Sequence, residues 1–175
     1  MKIKCISKDQ FLNFIEDESW IDNNWVIILD NFALLLLEQA GDVEKLNKIK
    51  NNEHYYIMDK FSFQPWPQRY HLKKGITFDL FFQEFKNYLN LLKEQNVSEL
   101  YIECVAGIHR SAAFGVILNE YFNHFLMNNE DDFNSFIVDN SEISPNSLLK
   151  KLIKIIRIPL FGEDYPPIQF NGLTF

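Results

Sequence analysis

The sequence predicts a three-layer α/β domain, with a mostly parallel sheet of four or five strands flanked by helices. Three observations point there. Short apolar runs of β-formers alternate with segments of helical periodicity, the pattern of strand–helix–strand crossovers. One of those runs, Trp25-Val26-Ile27-Ile28-Leu29, is apolar throughout, as a parallel strand covered on both faces requires. The segment 111–126 is apolar on nearly all sides, which suits a central buried helix.

Element by element, Lys2 to Ile6 reads as a first strand. A helix around Gln10 to Ile15 then puts Phe11, Phe14 and Ile15 on one face. The second strand stops at Asp30-Asn31, a turn or cap signal, before a helix over Phe32 to Gln39 and a polar helix or loop to Asn52. Tyr55 to Met58 is a third strand, and Phe61 to Gly75, rich in aromatics and prolines, reads as an ordered loop. Thr77 caps a helix whose apolar face recurs at Phe78, Phe81, Phe82, Phe85, Leu89 and Leu92. Glu99 to Ile102 is the fourth strand. The Glu130-Asp131-Asp132 run reads as a solvated turn. Ser144-Pro145 opens an amphipathic helix through Ile156, and the proline-containing tail after Arg157 reads as an extended strap. No linker or repeat divides residues 1–175, so a single domain is expected.

Composition narrows the function. Seventeen basic against twenty-four acidic side chains give a net charge of −7 and disfavour a nucleic-acid partner, which needs a basic face. The longest aliphatic run, Ala33 to Leu37, is far short of the roughly 20 residues that span a bilayer. The first residues, Met1-Lys2-Ile3-Lys4-Cys5-Ile6, lack the apolar core of a signal peptide. The expectation is a soluble, cytoplasmic protein with no membrane partner. Cys5 and Cys104 are too few for a disulfide framework and lack metal-ligand spacing, as do His54, His71 and His124, so no metal or cofactor is expected. Cys5 reads as a core residue.

The informative stretch is Glu103-Cys104-Val105-Ala106-Gly107-Ile108-His109-Arg110-Ser111. A strand ends, six residues turn and a buried helix begins. Such a turn aims the backbone N–H groups of Val105 to Arg110 and a helix N-terminus at one spot, an arrangement suited to an anion. Gly107 permits a tight turn and close backbone approach. Cys104 stands where dipole and amides favour the thiolate, the reactive form of cysteine. Arg110 can fold back and grip two oxygens of a phosphate with its planar fork. Ser111 can hydrogen-bond the sulfur and help it leave from a covalent intermediate. His109 projects from the loop as an outer contact.

Cys104-x5-Arg110-Ser111 resembles the signature of the cysteine-dependent protein tyrosine and dual-specificity phosphatases. The stretch through Ala112 looks most like their small bacterial and phage members. Trp25 to Asp30 is similar to their early buried strand, and Ser144-Pro145-Asn146 to their C-terminal segment. The resemblance implies a phosphatase-like fold with the phosphate-binding loop between the last core strand and the central helix. It implies a phosphorylated protein or peptide as substrate: phosphotyrosine, with phosphoserine and phosphothreonine as further options. It also implies a two-step reaction through a phosphocysteine, without metal.

Two positions depart from the family. Glu103 stands where the family has His, and a carboxylate beside the sulfur opposes its ionisation. Strand alternation can turn Glu103 to the other face, where it can bond to structure. The family takes its general acid from an Asp in a loop before the cysteine, whereas here Trp66-Pro67 is followed by Gln68. Asp59, at the end of the third strand, is the candidate acid; Asp79 has a sufficient role in the first turn of a helix. These departures keep open a second reading, a phosphate-binding pseudophosphatase module with little turnover. An RNA 5′-triphosphatase and a rhodanese-type sulfurtransferase use similar loops. The −7 charge weighs against the first, and the Ser after Arg against the second.

Overall fold

The structure, a computed structural model, describes residues 1–58, 61–65, 68–72, 74–141, 150–170 and 173–174. Strand β1 (Lys2–Ser7) passes directly into helix α1 (Lys8–Phe14) through a capping box. In that box Ser7 Oγ accepts from the Gln10 N–H at 3.1 Å, and Gln10 Oε1 accepts from the Ser7 N–H at 2.8 Å. A short helix α2 (Glu18–Asn23), capped by Asp17, precedes β2 (Trp25–Ile28). Helices α3 (Phe32–Ala40) and α4 (Val43–Asn51) lead to β3 (Tyr55–Ile57). Then come β4 (Phe61–Pro65), β5 (Gln68–Leu72) and helix α5 (Phe78–Glu94), whose cap Thr77 accepts from the Leu80 N–H at 3.2 Å. Strand β6 (Glu99–Cys104) feeds α6 (Arg110–Asn119), which continues as a π-helical stretch over Glu120–Leu126. Helices α7 (Glu130–Asp139) and α8 (Lys150–Phe161) and a small antiparallel pair, β7 (Gln169–Phe170) with β8 (Leu173–Thr174), complete the chain.

Four strands form one all-parallel sheet in the order β1-β6-β2-β3. Alternation sorts their side chains onto two cores. Ile6, Val26, Ile28, Tyr55 and Tyr101 meet Phe11, Ile15, Ile21, Ala33, Leu34, Leu46 and Ile49 from α1 to α4 and the turn after α1. Ile3, Ile27, Leu29, Leu100, Ile102 and Cys104 meet Phe81, Phe85, Leu89, Phe114, Ile117 and Phe136 from α5 to α7. This is the three-layer architecture expected from the strand–helix alternation, with four strands in the parallel sheet. No helix among the described residues is long and apolar enough to cross a membrane.

Several local expectations are corrected. The segment taken for an ordered loop is an antiparallel hairpin, β4 with β5, with Phe61 opposite Leu72 and Pro65 opposite Gln68. Its prolines masked the strands, yet Pro65 sits at a strand end, where the missing N–H costs little. Glu130-Asp131-Asp132 is the first turn of α7 rather than a solvated turn: Asn129 caps it, accepting from the Asp132 N–H at 3.1 Å, and acids there complement the helix dipole. Helix α8 runs on through Pro159 to Phe161, so the strap begins later than the proline suggested. Asp59, Trp66, Pro67 and Ser144-Pro145-Asn146 lie outside the described residues.

Candidate active site

Position comes from topology. From β2 the chain turns to α3 on one face of the sheet, and from neighbouring β6 it turns to α6 on the other. The two connections diverge at the carboxyl ends of these strands, where ligands usually gather in open α/β sheets. Asp30 follows the β2 end, and the 104–110 loop follows the β6 end.

The loop is shaped by a few contacts. The Gly107 N–H donates to the Cys104 carbonyl at 3.1 Å, and Gly107 has φ +70°, a conformation that L side chains rarely adopt. A Cβ on Gly107 would lie 2.5 Å from the Ser7 nitrogen and 2.7 Å from the Ile6 carbonyl carbon. The loop therefore rests on the backbone at the end of β1, and both reasons demand glycine. The Val105 carbonyl accepts from the Lys8 N–H at 3.3 Å, a second tie to the same strand end. Val105, Ala106 and His109 are exposed on the rim, Ile108 and Arg110 are half-buried, and Gly107 is buried.

Cys104 ends β6, 1% exposed, on the α6 face of the sheet. Its sulfur is 3.3 Å from Ser111 Oγ, and the Ser111 N–H points at it from 3.5 Å. At the head of α6 the Ser111 N–H thus donates to the sulfur, and the Cys104 thiol donates to Ser111 Oγ. Arg110 opens α6, and its Nη2 lies 2.9 Å from Asp30 Oδ2. The same carboxylate oxygen accepts from the Val105 N–H at 3.0 Å, and Oδ1 accepts from the Phe32 N–H at 3.0 Å. Asp30 therefore binds the first loop amide and the arginine at once. The sequence marked it only as a turn signal, because its partners are remote in the chain. The rule that ligands gather at strand carboxyl ends was the available signal. Lys8 was missed for the same reason: its Nζ sits 5.2 Å above the Phe32 ring, beside the loop.

Glu103 points to the opposite face, as alternation allows, but it does not bond to structure. Its carboxyl is 0% exposed, and neither oxygen has a hydrogen-bond partner. Burial foremost, then Asp30 and Cys104, push its pKa up to about 9; Arg110 and Lys8 pull the other way and lose. Glu103 is a neutral acid at pH 7, which removes the repulsion expected of a carboxylate beside the sulfur. Cys5 shares the Cys104 face, packed against the core. Burial, then Cys104, push its thiol up, against a hydrogen bond with Ser111 that lowers it. Among the described residues no cluster of His, Cys, Asp or Glu could hold a metal ion.

The structure thus brings Cys104, Arg110 and Ser111 together with the loop Val105 to His109 and adds Asp30; Asp59 falls outside the described residues. No family model matches the chain, and no curated protein matches it.

Proposed function

We propose that the chain is a cysteine-dependent phosphoric monoester hydrolase of the protein tyrosine or dual-specificity type, acting on a phosphorylated protein or peptide. The supporting observation is the placement of the Cys104 sulfur at the head of a buried helix, where the Ser111 N–H donates to it at 3.5 Å and Ser111 Oγ lies 3.3 Å away. That environment suits a sulfur that attacks and later leaves.

In the first step the Cys104 thiolate attacks phosphorus, an S–P bond forms and the P–O bond to the substrate breaks. Loop amides and the Arg110 fork hold the three equatorial oxygens as charge builds on them. Asp59 is the candidate donor of a proton to the departing oxygen. In the second step water attacks phosphorus, the S–P bond breaks and inorganic phosphate leaves. Ser111 stabilises the sulfur as it regains its charge. Asp30 Oδ2, 2.9 Å from Arg110 Nη2, fixes one arm of the fork.

The test is release of nitrophenol from nitrophenyl phosphate, blocked by vanadate and absent from Cys104→Ser. Asp59→Asn should slow phosphotyrosine by about 10²-fold or more while sparing esters of acidic phenols, which leave without a proton. One observation favours the pseudophosphatase reading: the Val105 N–H and Arg110 both rest on the Asp30 carboxylate. Oxyanion binding without turnover would select it.

A further inference from the structure

We propose that Glu103 is a positioning residue: a proton kept inside the sheet on its carboxyl holds the charge balance that lets the 104–110 loop accept an oxyanion dianion. This rests on the phosphatase reading above.

The geometry isolates Glu103 from solvent and joins it to the site. In the sheet register it lies between Ile6 of β1 and Ile28 of β2, both buried. Side chains at paired positions share a face, so the carboxyl is flanked by two aliphatic groups, with both oxygens unpartnered. A charge there is poorly stabilised. The Glu103 carbonyl accepts from the Leu29 N–H at 3.0 Å, and Leu29 precedes Asp30. Glu103 thus immediately precedes Cys104, and its hydrogen-bond partner Leu29 immediately precedes Asp30, which pairs with Arg110.

Four charged or titratable groups act on it: Lys8 from α1, Asp30 from the end of β2, Cys104 on its own strand and Arg110 from α6. Lys8 also pairs with exposed Asp9 at 3.0 Å. With Glu103 neutral, a Cys104 thiolate and Asp30 face Arg110 and Lys8, and these four charges balance; Asp9, 79% exposed, is screened by solvent. An ionised Glu103 leaves the cluster one charge negative before a dianion arrives. Linkage makes the effect reciprocal: a bound dianion holds the proton on Glu103 more firmly, and loss of that proton weakens binding.

Tungstate, a dianion across the range, is titrated into the full-length chain and into Glu103→Gln as pH rises. One pH unit above the Glu103 midpoint the wild type should bind about tenfold more weakly than E103Q. Infrared difference spectra of the wild type alone follow the protonated carboxyl band, and tungstate should move its loss to higher pH. Matched pH profiles in the two proteins, or a carboxyl band indifferent to bound tungstate, overturn this inference and leave the phosphatase reading standing. Failure of both proteins to bind tungstate overturns both.

Discussion

Cys104 and Glu103 are adjacent on one strand and live in opposite worlds. On the α6 face, Cys104 accepts from the Ser111 N–H and donates its thiol to Ser111 Oγ. On the other face, Glu103 lies between Ile6 and Ile28 and receives nothing. A period of two therefore separates a group with hydrogen-bond partners from one without them, across the thickness of one sheet. The surroundings of neighbouring residues here are set by facing, not by distance along the chain.

The strongest way to break the contrast is Cys104→Ser. On the phosphatase reading it should lower turnover by at least about 10⁴-fold while tungstate binding survives, because the proposed anion cradle is backbone and Arg110. Calorimetry beside the nitrophenol assay checks both halves. Gly107→Ala comes next. Its Cβ would collide with the backbone at the end of β1, so the loop must shift and turnover should fall about 10²-fold. Stability should drop by about 1–3 kcal/mol in urea melts.

Asp30→Asn acts chiefly on the Cys104 side and also removes one of the charges that hold the proton on Glu103. It keeps an acceptor for Val105 but removes the charge holding Arg110, so KM for nitrophenyl phosphate should change about tenfold. The Glu103 side is read in stability rather than in turnover. Its carboxyl ionises near 4.5 when unfolded and near 9 when folded. The stability it leaves intact below 4.5 is lost as pH rises toward 9, because only the unfolded form sheds the proton. Glu103→Gln should abolish that slope and gain about 2 kcal/mol near neutral pH, read from urea melts across the window.

Much of this was legible in advance, for local reasons. Trp25 to Leu29 announced a doubly covered strand, and Phe81, Phe85, Leu89 and Leu92 announced one face of α5. Cys104, Gly107, Arg110 and Ser111 stand close enough in sequence for spacing to carry chemistry. Asp30 was not legible as a clamp, since Val105 and Arg110 reach it only through the β2–β6 pairing. The facing of Glu103 followed from alternation, whereas its solitude depends on which residues of β1 and β2 lie opposite. Helix α2 escaped because six residues are too few to show a period. The β4–β5 hairpin escaped because proline content outweighed its short strands.

The strand order also has a temporal side. Lys2 of β1 pairs with Glu99, and Trp25 of β2 with Leu100, so the first two strands share no ladder until β6 enters between them. As the chain leaves the ribosome, β1 and β2 carry unpaired edges through the synthesis of everything up to Cys104. Closure over such a separation is slow, and open edges invite association with other chains. The strand that brings the cysteine is also the one that closes the sheet. A nascent chain stopped before β6 should therefore be protease-sensitive, and one extended past α6 protected.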